Sequence, residues 1–350
     1  MHQKVSILLW SMVFAVAAQA SESCPRVAGL DSLACAESAA GWAYADSPGM
    51  AATLAADAET AAIEFERRFG LDAPRGAVVA VGSGGIVPVT QVDALRGHGA
   101  QWILPWLSAE DQQAFRERTI RDAIKARLGA DDGYPRVEAL VARAKAQVQA
   151  QAPTHGSDEN TTARSALRHE IGHVLLIKGF WPDEAPDSGR AVHYGGPAPD
   201  WLDEVAAVLM EDAAMTADRR KLLLELRDGR RSGAGLKTLA GYFAADHPLK
   251  AIAAELGARP RDGGASVRVI RGAEARQLGG QAAWFYAQAR GVADFLLASS
   301  DDEGVFGDLA RAFAAGDTME TWLAREGKDH GLPASLPELE TRWQAWLAAQ

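Results

Sequence analysis

Cysteine is scarce in this chain of 350 residues: there are two, Cys24 and Cys35, both near the N-terminus. Two thiols with no other metal-binding groups nearby make a poor metal site. Basic clusters are missing as well. Lys and Arg are scattered along a chain of net charge −10, so nothing forms the stripe that nucleic acid or an anionic membrane surface requires. Beyond the first twenty residues no run is long and apolar enough to span a bilayer. Internal repeats and low-complexity linkers are also lacking. The glycine cluster Gly82-Ser83-Gly84-Gly85 has neither the Lys-Ser/Thr of a phosphate loop nor the setting of a nucleophile elbow.

What is present begins with a different kind of sequence. Lys4 precedes an almost unbroken apolar run from Val5 to Ala18, and Ala18-Gln19-Ala20 supplies small residues at a cleavage site. Residues 1–20 therefore read as a secretory leader, and the mature chain is expected to begin near Ser21. Ser21-Glu22-Ser23 before Cys24 is no lipoprotein box. In an exported protein, Cys24 and Cys35 are best read as one disulfide pinning a segment of residues 21–50. The location expected is secreted or periplasmic, without stable membrane insertion after cleavage.

With 48% hydrophobic and 23% charged residues, the remainder is ordinary globular sequence. Apolar spacing predicts a helix over 51–69 closed by Gly70, then a buried strand over Gly76–Val81. Ile86–Val92 reads as a second strand, and Gln101–Trp106 as an edge strand, because Pro105 cannot donate to a ladder. Two charged helices follow, Ser108–Leu128 (with Ser108 and Asp111 as a capping pair) and Pro135–Gln151. From residue 200 the chain reads as mainly helical, ending in helices at 281–298, 304–314, 318–326 and 336–349, with one late strand at Ser266–Ile270. Strands mixed with helices early and helices alone later are the mark of the α+β class. The division expected is an α/β part over 51–180, carrying a helical insertion at about 107–151, and a helical part over 181–350.

The chemistry concentrates at His169-Glu170-Ile171-Gly172-His173. Thr161 or Thr162 can cap this helix and Gly179 stands where a C-terminal glycine belongs. Residues four apart on a helix differ by about 40° around its axis, so both imidazoles can reach one ion. Glu170 projects from the same end, able to hold a water rather than the metal. With 8 His in 350 residues, the bare pattern arises by chance in only about 1% of such chains. The flanking run Val174–Ile177 demands burial, and burying Glu170 without a cation is costly. Gly172, unfavourable by about 1 kcal/mol in mid-helix, suggests close approach of another backbone.

A catalytic zinc needs a third protein ligand and an open position for water. Leu176 and Gly179 exclude the metzincin spacing. Downstream, Asp200 reads as a helix cap partnered by Asp203, and Glu204 falls among Trp201, Ala207 and Val208. A helix laid against the first can aim Glu204 at the histidines. His193, in the loop His193-Tyr194-Gly195-Gly196, is the rival. His98, His155, His247 and His330 have no partner pattern and default to surface or core.

His-Glu-x-x-His followed by Trp201-Leu-x-Glu204-x-x-Ala207 resembles the gluzincin branch of zinc peptidases, in particular the bacterial peptidase-MA-like group. The resemblance covers roughly residues 160–350, with a weaker likeness over the helix and strand at 51–81, and extends to Phe285-Tyr286-Ala-Gln, Phe295-Leu-Leu, Gly316-Asp317, Trp322-Leu323 and Trp343. It implies a zincin-like fold, one Zn2+ held by His169, His173 and Glu204, and Glu170 as general base. Tyr286 matches a tyrosine of that group and is a candidate to stabilise the oxyanion, beside Tyr194 and His193. Val205 departs from the glycine frequent there, and residues 91–155 have no counterpart. The expected activity is hydrolysis of a peptide or protein substrate. Its alternatives are a zinc-containing scaffold without turnover, or hydrolysis of a cell-wall amide.

Overall fold

Ser47-Pro48 starts a helix in two residues: the serine Oγ accepts the Met50 backbone N–H at 3.2 Å, and proline lacks a donor where the first turn needs none. In the computed structural model, which describes residues 24–82, 85–129, 135–151, 159–183, 196–230, 235–248, 250 and 272–350, this helix, α1, runs Pro48–Phe69. Gly70, at φ 60°, ends it in the left-handed conformation that favours glycine. Its inner face carries Leu54, Ala58, Ala61, Phe65 and Phe69.

α1 lies on a four-stranded sheet of β1 (Ala34–Ser38), β2 (Gly41–Ala45), β3 (Gly76–Ala80) and β4 (Trp102–Trp106), in that spatial order. β1 is antiparallel to β2, while β2, β3 and β4 run parallel. Side chains alternate across the sheet. Ala43, Val78, Trp102, Leu104 and Trp106 join the main core under α1, whereas Trp42, Tyr44, Ala77, Val79 and Ile103 join a second core with Val27 and Leu30. The Cys24–Cys35 disulfide is formed and ties the start of the described chain to β1. The β1–β2 hairpin goes beyond the sequence reading, because two alanine-rich strands of five residues give a weak signal.

One strand expectation is wrong. The segment read as Ile86–Val92 contains the start of a helix, α2 (Val89–Gly97), with Val92 and Leu95 turned into the second core. The reason is topological: parallel neighbours β3 and β4 need a crossover of about a dozen residues, usually helical. β4 is an edge strand as expected, and Pro105 sits there opposite Val79.

α3 (Ala109–Leu128) starts at Ser108, whose Oγ accepts the Asp111 backbone N–H at 3.0 Å, and it pairs with α4 (Pro135–Gln151). The two share a small core of Ile124, Val137 and Val141, and Lys145 meets Glu117 at 2.5 Å. The rest is helical: α5 (Glu159–Phe180), α6 (Asp200–Met210), α7 (Ala213–Arg227), α8 (Leu239–Phe243), α9 (Gly272–Ser299), α10 (Val305–Ala314), α11 (Met319–Glu326) and α12 (Leu336–Ala349). The protein is therefore α+β, with the expected C-terminal helices in place. The expected strand at Ser266–Ile270 and the leader lie outside the described residues. Among the described residues no helix is long and apolar enough to cross a membrane.

Among the described residues α5 and α6 form the most extensive helix pair, and glycine lets their backbones approach. A Cβ at Gly172 would stand 2.7 Å from both the Ala206 carbonyl oxygen and the Ala207 Cα. Helix propensity favours Gly172→Ala by about 1 kcal/mol. Backbone atoms cannot yield as a side chain does, and overpacking of this kind costs about 1–3 kcal/mol, so a net loss of stability is expected. Thermal unfolding checks this: a variant melting at or above the wild-type temperature would show that the helices separate without penalty.

Candidate metal centre

α5 carries Leu167, Ile171, Leu175 and Leu176 into the main core, which leaves His169 and His173 on the side facing α6. Two cap expectations need correction. Thr161 and Thr162 lie inside α5, which starts at Glu159, and Gly179 is one residue inside its end. A Cβ at Gly179 would meet Leu71 Cδ2 at 2.9 Å and Phe65 Cζ at 3.3 Å, so this glycine serves close packing against α1.

α6 is buried on every side, and it presents Glu204 to the two imidazoles. His169 Nε2 lies 3.4 Å from Glu204 Oε1, and His173 Nε2 lies 4.0 Å from Oε2. The imidazole centroids are 5.0 Å apart, with the rings nearly perpendicular. One donor atom from each of His169, His173 and Glu204 falls within 4.8 Å of the others, and all three residues are buried. Ligands of one tetrahedral ion at 2.0–2.1 Å are roughly 3.4 Å apart, so a small ion fits this triangle.

The outer contacts match that use. His169 Nδ1 is 2.9 Å from Glu211 Oε1, and His173 Nδ1 is 2.9 Å from Asp203 Oδ1. A carboxylate on Nδ1 fixes the proton there and leaves Nε2 to a metal. Both carboxylate oxygens of Glu204 are buried and, among the described residues, accept no hydrogen bond. A buried carboxylate in that state calls for a cation.

Charge tells the same story. Burial pushes Glu204 up, to about 7, although the two imidazoles oppose this. Burial alone would lower His173, but Asp203, Glu204 and Glu170 outweigh it and hold it up at about 10. His169 is likewise raised, with burial overcome by Glu204 and Glu211. Glu211 sits low: burial works against its charge, but His169 and the Arg219 guanidinium, 2.9 Å away, prevail. Without a metal, protons on the imidazoles compensate the acids.

Asp203 and Glu211 escape the sequence reading, which gives Asp203 to a cap. The helix N-cap is Pro199; Asp200 opens the first turn, accepting the His247 backbone N–H at 2.7 Å, and Asp203 serves His173. The readable signal was an acid at 211, two helical turns beyond Glu204 on an apolar helix. Alanine at Asp203 or Glu211 is expected to weaken binding of an added divalent metal ion about 10–100-fold. Competition with a chromophoric chelator measures it, and unchanged affinity in both variants would remove their role.

Tyr286, on α9, reaches the site: its ring centroid is 5.7 Å from that of His169, and the Arg219 guanidinium lies 4.8 Å above the tyrosine ring. Glu170 is half-buried on α5, close enough for its charge to act on His173. His247, left to surface or core by the sequence reading, packs at the site, with Nε2 3.7 Å from Glu204 Oε2. Burial and the neighbouring imidazoles push its pKa down to about 3, so it is neutral. His193 and Tyr194 lie outside the described residues. A second group, Asp302, Asp308 and His330, is less enclosed: both aspartates are only partly buried, whereas all three residues of the first group are buried.

Fold and site together define an α+β protein with a buried two-histidine, one-carboxylate group able to hold a metal ion. Comparison with family models, with curated proteins and with solved structures gave no match.

Proposed function

We propose that this protein is an exported zinc-dependent peptidase with a zincin-like fold, of the gluzincin kind that its motifs resemble. The observation carrying the reading is the convergence of two Nε2 atoms and a carboxylate that accepts no hydrogen bond among the described residues, while a carboxylate oxygen lies 2.9 Å from each Nδ1. Imidazole with carboxylate is a donor set suited to zinc, and three protein ligands leave a position open. The disulfide is consistent with an oxidising compartment outside the cytoplasm.

When bound, zinc supplies Lewis acidity, acidifying water and polarising a carbonyl. His169, His173 and Glu204 hold it, and Glu211 and Asp203 keep the rings turned. Glu170 accepts a proton from the attacking water and delivers it to the departing amine as the C–N bond breaks. Tyr286 stabilises the charge that gathers on the carbonyl oxygen.

The test is direct. Zinc-loaded protein incubated with an unfolded polypeptide is expected to produce new N-termini, and a chelator or a hydroxamate should stop the reaction. One tightly held zinc without cleavage of polypeptide would overturn the peptidase reading. Cleavage of cell-wall fragments in its place would point to another amide.

A further inference from the structure

Each histidine of the site has an outer partner of opposite chemistry, and the same requirement extends to Glu204. A carboxylate that gives one oxygen to an ion leaves the other buried, and a buried acceptor needs a donor. Among the described residues, the only basic side-chain nitrogens within 4.0 Å of Glu204 belong to His169, His173 and His247. The first two are ligands in the reading above. His247 is not part of the group whose donor atoms all lie within 4.8 Å of one another, so it stands beside the ligand triangle and not in it.

We propose that His247 is the positioning residue of Glu204: its Nε2–H holds the carboxylate oxygen that the metal does not use. The inference rests on the metal-centre reading, though not on peptidase activity. Its geometry is set by the surrounding fold. The His247 backbone N–H donates to Asp200 Oδ2 at 2.7 Å, which fastens this loop to the first turn of the helix that carries Glu204. The Lys250 ammonium reaches the same aspartate oxygen at 3.4 Å. Phe285 stands edge-on to the imidazole at a centroid distance of 4.9 Å, and Tyr286 lies beside it at 5.5 Å. These contacts position the ring, and its Nε2 lies 3.7 Å from Glu204 Oε2. Loop and ligand are therefore tied to the same end of α6, which lets the carboxylate be oriented before an ion arrives. The result is a reciprocal shell: acids on the two imidazole ligands, an imidazole on the acid ligand.

Two variants of matched size isolate the donor. His247→Gln keeps an N–H near the position of Nε2, and His247→Met fills similar space without one. Zinc affinity is measured on the full mature chain by competition with a chromophoric chelator, and thermal unfolding of the metal-free proteins controls for folding. The expected result is near-wild-type affinity for Gln and a loss of about 10–100-fold for Met, as for other outer-shell partners. Met binding as tightly as wild type would overturn the proposal, as would equal losses in both variants with metal-free stability unchanged. Wild-type affinity in Met with lost hydrolysis would also overturn it and move His247 to the substrate. Protein that takes up no zinc at all would instead overturn the metal centre, and this role with it.

Discussion

At the proposed zinc centre, Glu204→Ala is expected to abolish metal retention, lowering affinity by more than the roughly 10–100-fold typical of an outer-shell change. Two imidazoles four residues apart on α5 would remain, each with its Nδ1 acid. They would lack the ligand that α6 supplies. The negative charge facing both Nε2 atoms would go with it. Metal per chain after gel filtration measures the effect, with His193→Ala as the comparison that should keep its zinc. Full occupancy in Glu204→Ala would place the third ligand elsewhere.

The same site makes binding depend on pH. His173 is held at about 10 in the metal-free protein, above its ordinary 6.5, and a ligand nitrogen must be free of its proton. Zinc uptake therefore releases protons, and affinity should rise with pH up to about 10. The stability of the metal-free protein runs the other way. A raised folded-state pKa gives stabilisation that is complete below 6.5 and lost as pH climbs toward 10. Glu204, raised from 4.5 to about 7, acts in the same direction over its own window. Unfolding temperatures of metal-free protein should fall across this range; a rise would mean that the imidazoles are neutral.

Glu170→Gln should retain zinc and lose turnover by about 10²–10⁴-fold, the range of a general acid–base group. Glutamine keeps the shape of glutamate and one acceptor oxygen, but it carries an NH2 donor in place of the other and cannot accept a proton at neutral pH. Glu170 is not one of the three ligands, so metal content should not change. Initial rates on unfolded polypeptide, with zinc measured on the same samples, separate the two properties. A variant as fast as wild type would remove the base from Glu170.

Much of this was legible along the chain where a signal is local. The 3.6-residue spacing of Leu54, Ala58, Ala62, Phe65 and Phe69 marks α1, and Gly70 marks its end. His169, Glu170 and His173 need only helical geometry to converge. Gly172 was readable as a close approach, and the α6 backbone supplies it. Where local signals compete, the reading failed. Ile86–Val92 has strand residues, but the parallel pairing of β3 with β4 requires a helix beginning at Val89. Asp203 looks like a capping partner because it follows Asp200 by three residues, yet α6 is pressed against His173 and the aspartate turns to the imidazole.

By itself, then, the sequence determined the elements with their own periodicity, the α+β order, the disulfide, and the helix that carries both histidines. Tertiary structure decided which acids meet those histidines and which face of Glu204 meets His247. The physical reason is reach. Propensity and spacing act over a few residues, whereas the partners Asp57–Arg164, His169–Glu211 and Glu204–His247 meet only once buried helices have packed. Between His169 and Glu211 the interaction is then strong, because water has been excluded from between them.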